Sequence, residues 1–402
     1  MPTPVDASPD AGPMVDGVPG HPDSAHQVAL HVLRHGPLPR SALARAMHLS
    51  PGSLTRLSKP LLGTGLLVES SQVTDPATRR PTRPLDVAVD TFGFVGVDVT
   101  GTDVWAVSTD LRGTVLTDAH VPLRGTEPTD VADAVAGLVS TLHPGGADGG
   151  GVQLAGVGVA IGGHVDPSGR VIHADFLGWR TPVDLAGLVH TRTGVSVIIG
   201  NDLACLTRAE HWFGLGRDHE SFAVVTIGAG VGYGLVLGDR VVETPDTSLQ
   251  LLGHLPLNRT GPRCTDGHRG CASALLTTTA VLGVAAVAMG GPVTWQALVH
   301  AAAAGDRRAR HVVDDAAADL GQLVAVIANT TSVDRILLTG EGVDLAVLGD
   351  ASLRRAVSDH RDPRARTVDI TVRPHDFLVW AHGAAGAAVK DFTTSSRWLS
   401  IA

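Results

Sequence analysis

At 402 residues the chain exceeds what one hydrophobic core ordinarily organises, which predicts two or three domains. Apolar residues make up 44% of it, enough for packed cores, while three cysteines exclude a disulfide framework and point to a reducing, cytoplasmic setting. The net charge of −9 is unevenly spread: residues 1–24 hold four Asp and no Lys or Arg (−4), residues 25–90 hold seven Arg and one Lys against four acids (+4), and residues 91–402 carry the remaining −9.

A small basic module ahead of a large acidic body suits an anionic partner at the front end only. Residues 1–24 are Pro, Gly and Asp with almost nothing to bury, and a disordered tail is expected there. They lack a basic start followed by an apolar run, so no secretory leader is expected. From Ala25 the pattern turns helical. "AHQVALHVLRHG" sets Val28, Leu30, His31 and Leu33 near one face and stops at Gly36. "PRSALARAMHLS" enters a second helix at Pro39 and Ser41 and repeats Leu43, Ala46 and Met47. "SPGSLTRLSKPLLGTGLL" has Ser50 as N-cap and Pro51 at the first helical position, where a missing N–H costs nothing. Two strands joined by a turn at Asp75-Pro76 follow, and three helices with a β-hairpin predict a winged helix-turn-helix over residues 25–90.

On its third helix Ser53, Thr55, Arg56 and Lys59 are polar while Leu54, Leu57 and Leu61 pack inward. Arg pairs bidentately with guanine in the major groove, and Ser and Thr reach phosphates or base edges. Arg79, Arg80 and Arg83 of the wing suit phosphates or a narrow minor groove. A helical protein-docking module is the competing reading.

Strands restart near residue 91. "FGFVGVDVTG", "DVWAVSTDLRG" and "VLTDAHVPL" read as a meander, followed by a helix at 129–143. Apolar runs at 154–163, 195–202 and 334–342 end in Gly or polar residues, as buried strands do, and a second strand set opens at 221–242. Two strand-rich halves, each opening on a Gly-broken hairpin, predict a duplicated α/β core with a cleft between lobes. The longest apolar stretch, "ALLTTTAVLGVAAVAMGG" at 274–291, is diluted by three Thr and reads as a buried helix rather than a membrane span, so no membrane partner is expected.

Two glycine loops, "VDVTGTD" at 97–103 and "IGAGVGYG" at 227–234, occupy matching places in the halves, with Asp98, Gly101 and Thr102 in the first and Gly228 and Gly230 in the second. They look like the paired phosphate loops of the sugar kinase, heat-shock protein and actin superfamily, where backbone N–H groups meet phosphate and a carboxylate such as Asp98 holds the metal. Asn201-Asp202 follows a strand and faces the cleft, where Asp202 suits a general base on a sugar hydroxyl. "GHLPLNRTGPRCTDGHRGC" at 253–271 holds two of the three cysteines and reads as a metal site, a disulfide or a polar loop.

The order of these motifs over some 370 residues, with "GVGVAIGGHVDPSGRVIHADFLGW", "GND", "GH…C…GC" and "LLTGEG" among them, resembles the ROK family of repressors and sugar kinases, in particular its regulators with an N-terminal winged helix. The resemblance implies a two-lobed, actin-like and sugar-kinase-like body (a duplicated ribonuclease H-like fold), with residues 91–200 plus 375–402 as first lobe and 201–374 as second lobe bearing a zinc-type loop and a dimerisation surface. It implies ligand contacts at Asn201, Asp202 and His254, and a structural zinc held by His254, Cys264, Asp266 and Cys271, with His268 as a substitute for Asp266. Several family positions differ. Phe176 stands in place of the Asn before Leu177-Gly178-Trp179, and Leu251 and Ser273 replace two sugar-binding Glu. Asp266 replaces a Cys, Thr100 a Gly and Ala229 a Thr. Losing two charge-assisted hydrogen bonds weakens hexose binding by roughly 3–6 kcal/mol. The resemblance therefore implies a dimeric or tetrameric transcriptional regulator, not a hexose kinase, that reads an inverted-repeat double-stranded operator and senses a small molecule. An ATP- and Mg-dependent kinase on an unusual substrate, with Asp202 as base, is the alternative.

Overall fold

The computed structural model describes residues 22–75, 79–144, 151–244, 246, 249 and 251–395; the tail expected over 1–24 falls outside the described residues up to residue 21, as does Pro76 of the expected wing turn. The chain divides into two compact units, Met1–Ala88 with Thr393–Ala402, and Val89–Phe392.

The first unit opens with α1 (Pro22–His35), α2 (Arg40–Ala46) and α3 (Pro51–Gly63). Its core is Val28, Ala29, Val32 and Leu33 of α1, Leu43 and Ala44 of α2, and Leu54, Leu57 and Leu61 of α3, closed by Leu66, Leu67, Leu85 and Val87. The buried stripe of α1 differs from the expected one. Residues four apart share a face, so Ala25, Ala29 and Val32 join Val28 and Leu33, while Leu30 and His31 stay half-buried. Ser50 caps α3 as expected, accepting the Ser53 N–H at 3.1 Å, a bond of about 1 kcal/mol. Ser41 does not cap α2; its hydroxyl donates to Asp75 Oδ2 at 2.6 Å and ties α2 to the base of the wing. The two expected wing strands are four short ones: β1 (Leu67–Glu69) pairs with β4 (Leu85–Val87), and β2 (Val73–Thr74) with β3 (Pro81–Thr82). Pro81 and Pro84 bring no N–H to a ladder, which is why pairing is interrupted between them.

The second unit contains two five-stranded sheets. In the first, β5 (Phe92–Val99), β6 (Asp103–Asp110) and β7 (Val115–Pro122) form the expected meander, and α4 (Pro128–Leu142) leads to β8 (Gln153–Ile161), parallel to β5. A small hairpin, β9 (His164–Val165) and β10 (Val171–His173), and α5 (Leu185–Thr193) precede β11 (Val197–Asn201), giving the order β11-β8-β5-β6-β7. After α6 (Asp202–Trp212), β12 (Phe222–Ile227), β13 (Val231–Leu237) and β14 (Arg240–Val241) run antiparallel. Helices α7 (Ala272–Leu276), α8 (Thr278–Met289), α9 (Trp295–Ala303) and α10 (Arg307–Thr331) then lead to β15 (Arg335–Thr339), parallel to β12. Short α11 (Asp344–Leu348) and α12 (Asp350–Asp359) precede β16 (Asp369–Val372), so the second order is β14-β13-β12-β15-β16. Each sheet has a hairpin on one side of its first strand and two parallel strands on the other, the duplicated α/β architecture that the motif order implies. The closing helix α13 (Phe377–Thr394) returns to the first sheet, where Ala381, Ala384 and Ala385 meet β5 and β8.

The apolar stretch 274–291 is not one buried helix. Thr277 breaks it into α7 and α8, capping the latter through the Ala280 N–H, and on α8 Val281 and Ala285 are buried while Val287 is 85% exposed. No helix among the described residues is long and apolar enough to cross a membrane.

Candidate functional site

In the first unit, α3 turns Thr55, Arg56 and Lys59 to solvent, with Ser53 half-buried at its first turn, and buries Leu54, Leu57 and Leu61. The Ser53 hydroxyl lies 2.9 Å from Ser50 Oγ, and Thr55 Oγ1 donates to the Pro51 carbonyl, so both hydroxyls are partly committed to the helix. Arg79, Arg80 and Arg83 are exposed on the wing. Arg83 lies 4.0 Å from Glu69, whose other oxygen accepts from Arg40 at 2.7 Å.

In the second unit the ends of β5 and β12 and the start of α6 converge on one cavity of about 380 Å³. Asp98, Gly101, Thr102, Asn201, Asp202, Gly228 and Gly230 all line it, so residues up to 132 positions apart are brought together. His254 is not among its lining residues. Asp98 is 5% exposed, and burial together with the neighbouring Asp202 charge holds its carboxyl well above the usual range. Burial raises Asp202 to about 6, against the Leu203 N–H that its Oδ1 accepts at 2.7 Å. Asn201 is committed at both ends of its amide: Oδ1 caps α6 through the Ala204 N–H and Nδ2 donates to the Gly163 carbonyl at 3.0 Å.

The glycine loops are likewise closed on themselves. Gly228 N–H donates to the Gly230 carbonyl, and Thr100 N–H and Oγ1 both donate to the Asp103 carbonyl. No Lys or Arg stands among the described residues lining the cavity. Part of the loops' donor set is thus committed to the protein, and no cation among the described lining residues offsets the charge of a phosphate.

Four lining residues carried no signal for this site in the sequence. Glu341 follows β15 and was legible only as part of a Gly-ended strand; His375, Phe377 and Trp380 come from the start of α13, far along the chain. A second cavity of about 670 Å³ shares Glu341, His375 and Phe377 with the first.

The cysteine loop gathers His254, Cys264, Asp266 and His268 so that one donor atom from each lies within 4.8 Å of the others. His254 Nδ1 and His268 Nδ1 are 3.1 Å apart, and Cys264 Sγ is 3.9 and 3.6 Å from them. Tetrahedral zinc, with Zn–N near 2.0–2.1 Å and Zn–S near 2.3 Å, spaces such donors at roughly 3.3–3.6 Å, so the residues present fit a metal ion. His268 belongs to this group alongside Asp266, because the Cys264 N–H bonds to the His268 carbonyl and folds the loop back. Cys271, the other expected ligand, is buried at the N-terminus of α7 with its thiol beside Cys264. All three cysteines are free thiols, which removes the disulfide reading. Cys205 is buried packing, with its thiol raised to about 12 by burial. Leu251 is 62% exposed and Phe176 57%, so neither apolar replacement has been drawn into a core.

Comparison with known proteins gives consistent results. A profile of the ROK family matches residues 94–389. The DNA-binding transcriptional repressor Mlc of Escherichia coli strain K12 is 23% identical over 402 aligned residues, covering 94% of this chain and 96% of the repressor. Among solved structures, a ROK family transcriptional regulator homologous to E. coli Mlc superposes with a TM-score of 0.78 at 22% identity over 94% of this chain and 99% of its own. The ROK hexokinase of Thermus thermophilus superposes with a TM-score of 0.61 at 26% identity over 74% of this chain and 97% of its own.

Proposed function

The chain belongs to the ROK family, and from that membership we propose that it is a DNA-binding transcriptional repressor whose body senses a small molecule and dimerises. The carrying observation is the outward face of α3, with Thr55, Arg56 and Lys59 exposed beside the exposed wing arginines Arg79, Arg80 and Arg83. A solvated face on a docking helix needs no such concentration of cations on a capped helix and a wing. The extent of the likeness supports the same reading: it spans 94% of the chain for the repressor and the regulator, against 74% for the hexokinase. In this reading residues 25–90 bind DNA, two copies read an inverted repeat, the protein works in the cytoplasm, and dimers or dimers of dimers form through the second lobe.

With the operator identified by selection from a random double-stranded library, Arg56→Ala is expected to weaken binding by about ten- to a hundredfold, the 1–3 kcal/mol of one bidentate base contact. Fluorescence anisotropy measures it, and light scattering checks that the oligomer is intact. Unchanged affinity would remove α3 from the groove.

In this reading phosphoryl transfer plays no part. Asp202 is retained, but the closed loops and the absence of cations among the described lining residues oppose a nucleotide in the cavity. We assign the cysteine loop a structural zinc held by His254, Cys264, His268 and Asp266; bound there, the ion cross-links the two ends of a 15-residue segment through soft and borderline donors. Purified without chelator, the protein is expected to hold one zinc per chain by mass spectrometry of the elements, and Cys264→Ser and His268→Ala each to lose most of it. Full zinc in His268→Ala with loss in Cys271→Ser would instead return Cys271 to the ligand set.

A further inference from the structure

Resting on the reading of the cavity as a sensor site, we propose that its ligand is a protonated amine carrying an apolar body, not a sugar or a phosphate ester. Asp98 and Asp202 face the cavity from the end of β5 and the start of α6, and Glu341 adds a third, exposed carboxyl. With no Lys or Arg among the described lining residues, a phosphate entering here meets like charge and nothing to offset it. A cation meets three carboxyl groups able to serve as its counter-ions.

The walls point the same way. A chain with only 3% aromatic residues places Phe176, Phe377 and Trp380 in this one cavity. A carbon set at the Cβ position of Gly162 would lie 3.3 Å from Asp202 Oδ2 and 3.3 Å from Phe176 Cδ2. The Asp202 carboxylate and the Phe176 ring thus both close around Gly162, which puts an acidic and an aromatic group on the same side of the cavity. Phe377 is fixed between Trp105 and His375, with ring centroids 5.2 and 4.4 Å away, so this wall is formed before a ligand arrives.

His375 lines the cavity with both ring nitrogens unpartnered, and burial holds its pKa below the ordinary value, so its imidazole brings one donor and one acceptor and no charge. A hexose needs many side-chain partners, whereas the Asn201 amide and the Thr100 and Thr102 hydroxyls are already committed to protein atoms. Burial keeps Asp98 and Asp202 easily protonated, and an ammonium is the ligand that restores their charge.

The test uses full-length protein at pH 7.5, with calorimetry on tryptamine and phenethylamine, their matched alcohols tryptophol and 2-phenylethanol, glucose, N-acetylglucosamine and glucose 6-phosphate. At least one amine is expected to bind about tenfold or more tightly than its alcohol, and the three sugars not to bind. Asp202→Asn and Phe176→Ala are each expected to weaken the amine about tenfold; the Phe176 side chain is more than half exposed, so its removal leaves the fold in place. Equal binding of amine and alcohol, tighter binding of any sugar, or no binding of either amine overturns the proposal. Operator affinity measured with and without each ligand separates this from the underlying reading. An amine that binds without changing operator affinity keeps the proposal and removes the sensor. A sugar that binds and releases the operator keeps the sensor and removes the proposal.

Discussion

Arg373→Ala is expected to destabilise the second unit by about 3–5 kcal/mol, the usual cost of leaving one member of a buried ion pair uncompensated. Glu210, near the end of α6, is 1% exposed and pairs with the Arg373 guanidinium just beyond β16. Its other oxygen accepts the Leu215 N–H at 3.1 Å, so the carboxylate joins the turn after α6 to the edge of the second sheet. Burial outweighs the arginine and holds the Glu210 pKa above its ordinary value; without Arg373 it rises further. Protonation in the folded state then relieves the penalty, so the deficit is full above that pKa and shrinks as pH falls through it. Guanidinium titrations at pH 8 and pH 5 measure both points. The double variant Glu210→Leu/Arg373→Met is expected to recover most of the loss, because an apolar pair carries no charge to desolvate. A loss below about 1 kcal/mol in Arg373→Ala would mean that water reaches Glu210.

Gly158→Val is expected to cost as much or more, at or beyond the upper end of the roughly 1–3 kcal/mol typical of overpacking. A Cβ on Gly158 of β8 would sit 1.9 Å from the Ala384 carbonyl oxygen, and one on Gly96 of β5 would sit 2.0 Å from the Ala381 carbonyl oxygen. Both clashes are with backbone of α13, which no rotamer change relieves. The helix must move off the sheet, carrying Phe377 and Trp380 with it, so the variant is expected to lose amine binding along with stability. Thermal unfolding and calorimetry on the same sample test both, and wild-type stability in Gly158→Val would show that α13 does not pack there.

Much of this was legible in local pattern. Ser50 before Pro51 marked the start of α3, and the spacing of Leu54, Leu57 and Leu61 identified its buried face. The two Gly-ended hairpins announced the duplicated body and placed Asp98 and Asp202 together in one cleft. Helical and strand periodicity are short-range properties, so they survive in the sequence without knowledge of the fold. Reading failed where a local rule met a long-range partner. The stripe at 274–291 looked buried because it is apolar, yet Val287 is exposed, since only one side of α8 finds the core. Ser41 read only as a helix-entry residue, but its hydroxyl reaches Asp75 at the base of the wing.

The sequence by itself thus determined a basic winged front, an acidic duplicated body and apolar or neutral residues, Leu251 and Ser273, where the family resemblance implies carboxyls. Only the tertiary structure decided that His268 comes together with His254, Cys264 and Asp266, that Gly96 and Gly158 exist to admit α13, and that Phe176, Phe377 and Trp380 share a cavity with Asp98 and Asp202. The physical reason is the same in each case. Secondary structure follows from neighbours three or four residues away, whereas a donor set, a close backbone approach and a ligand wall depend on distances of a few ångströms between residues that chain position does not relate.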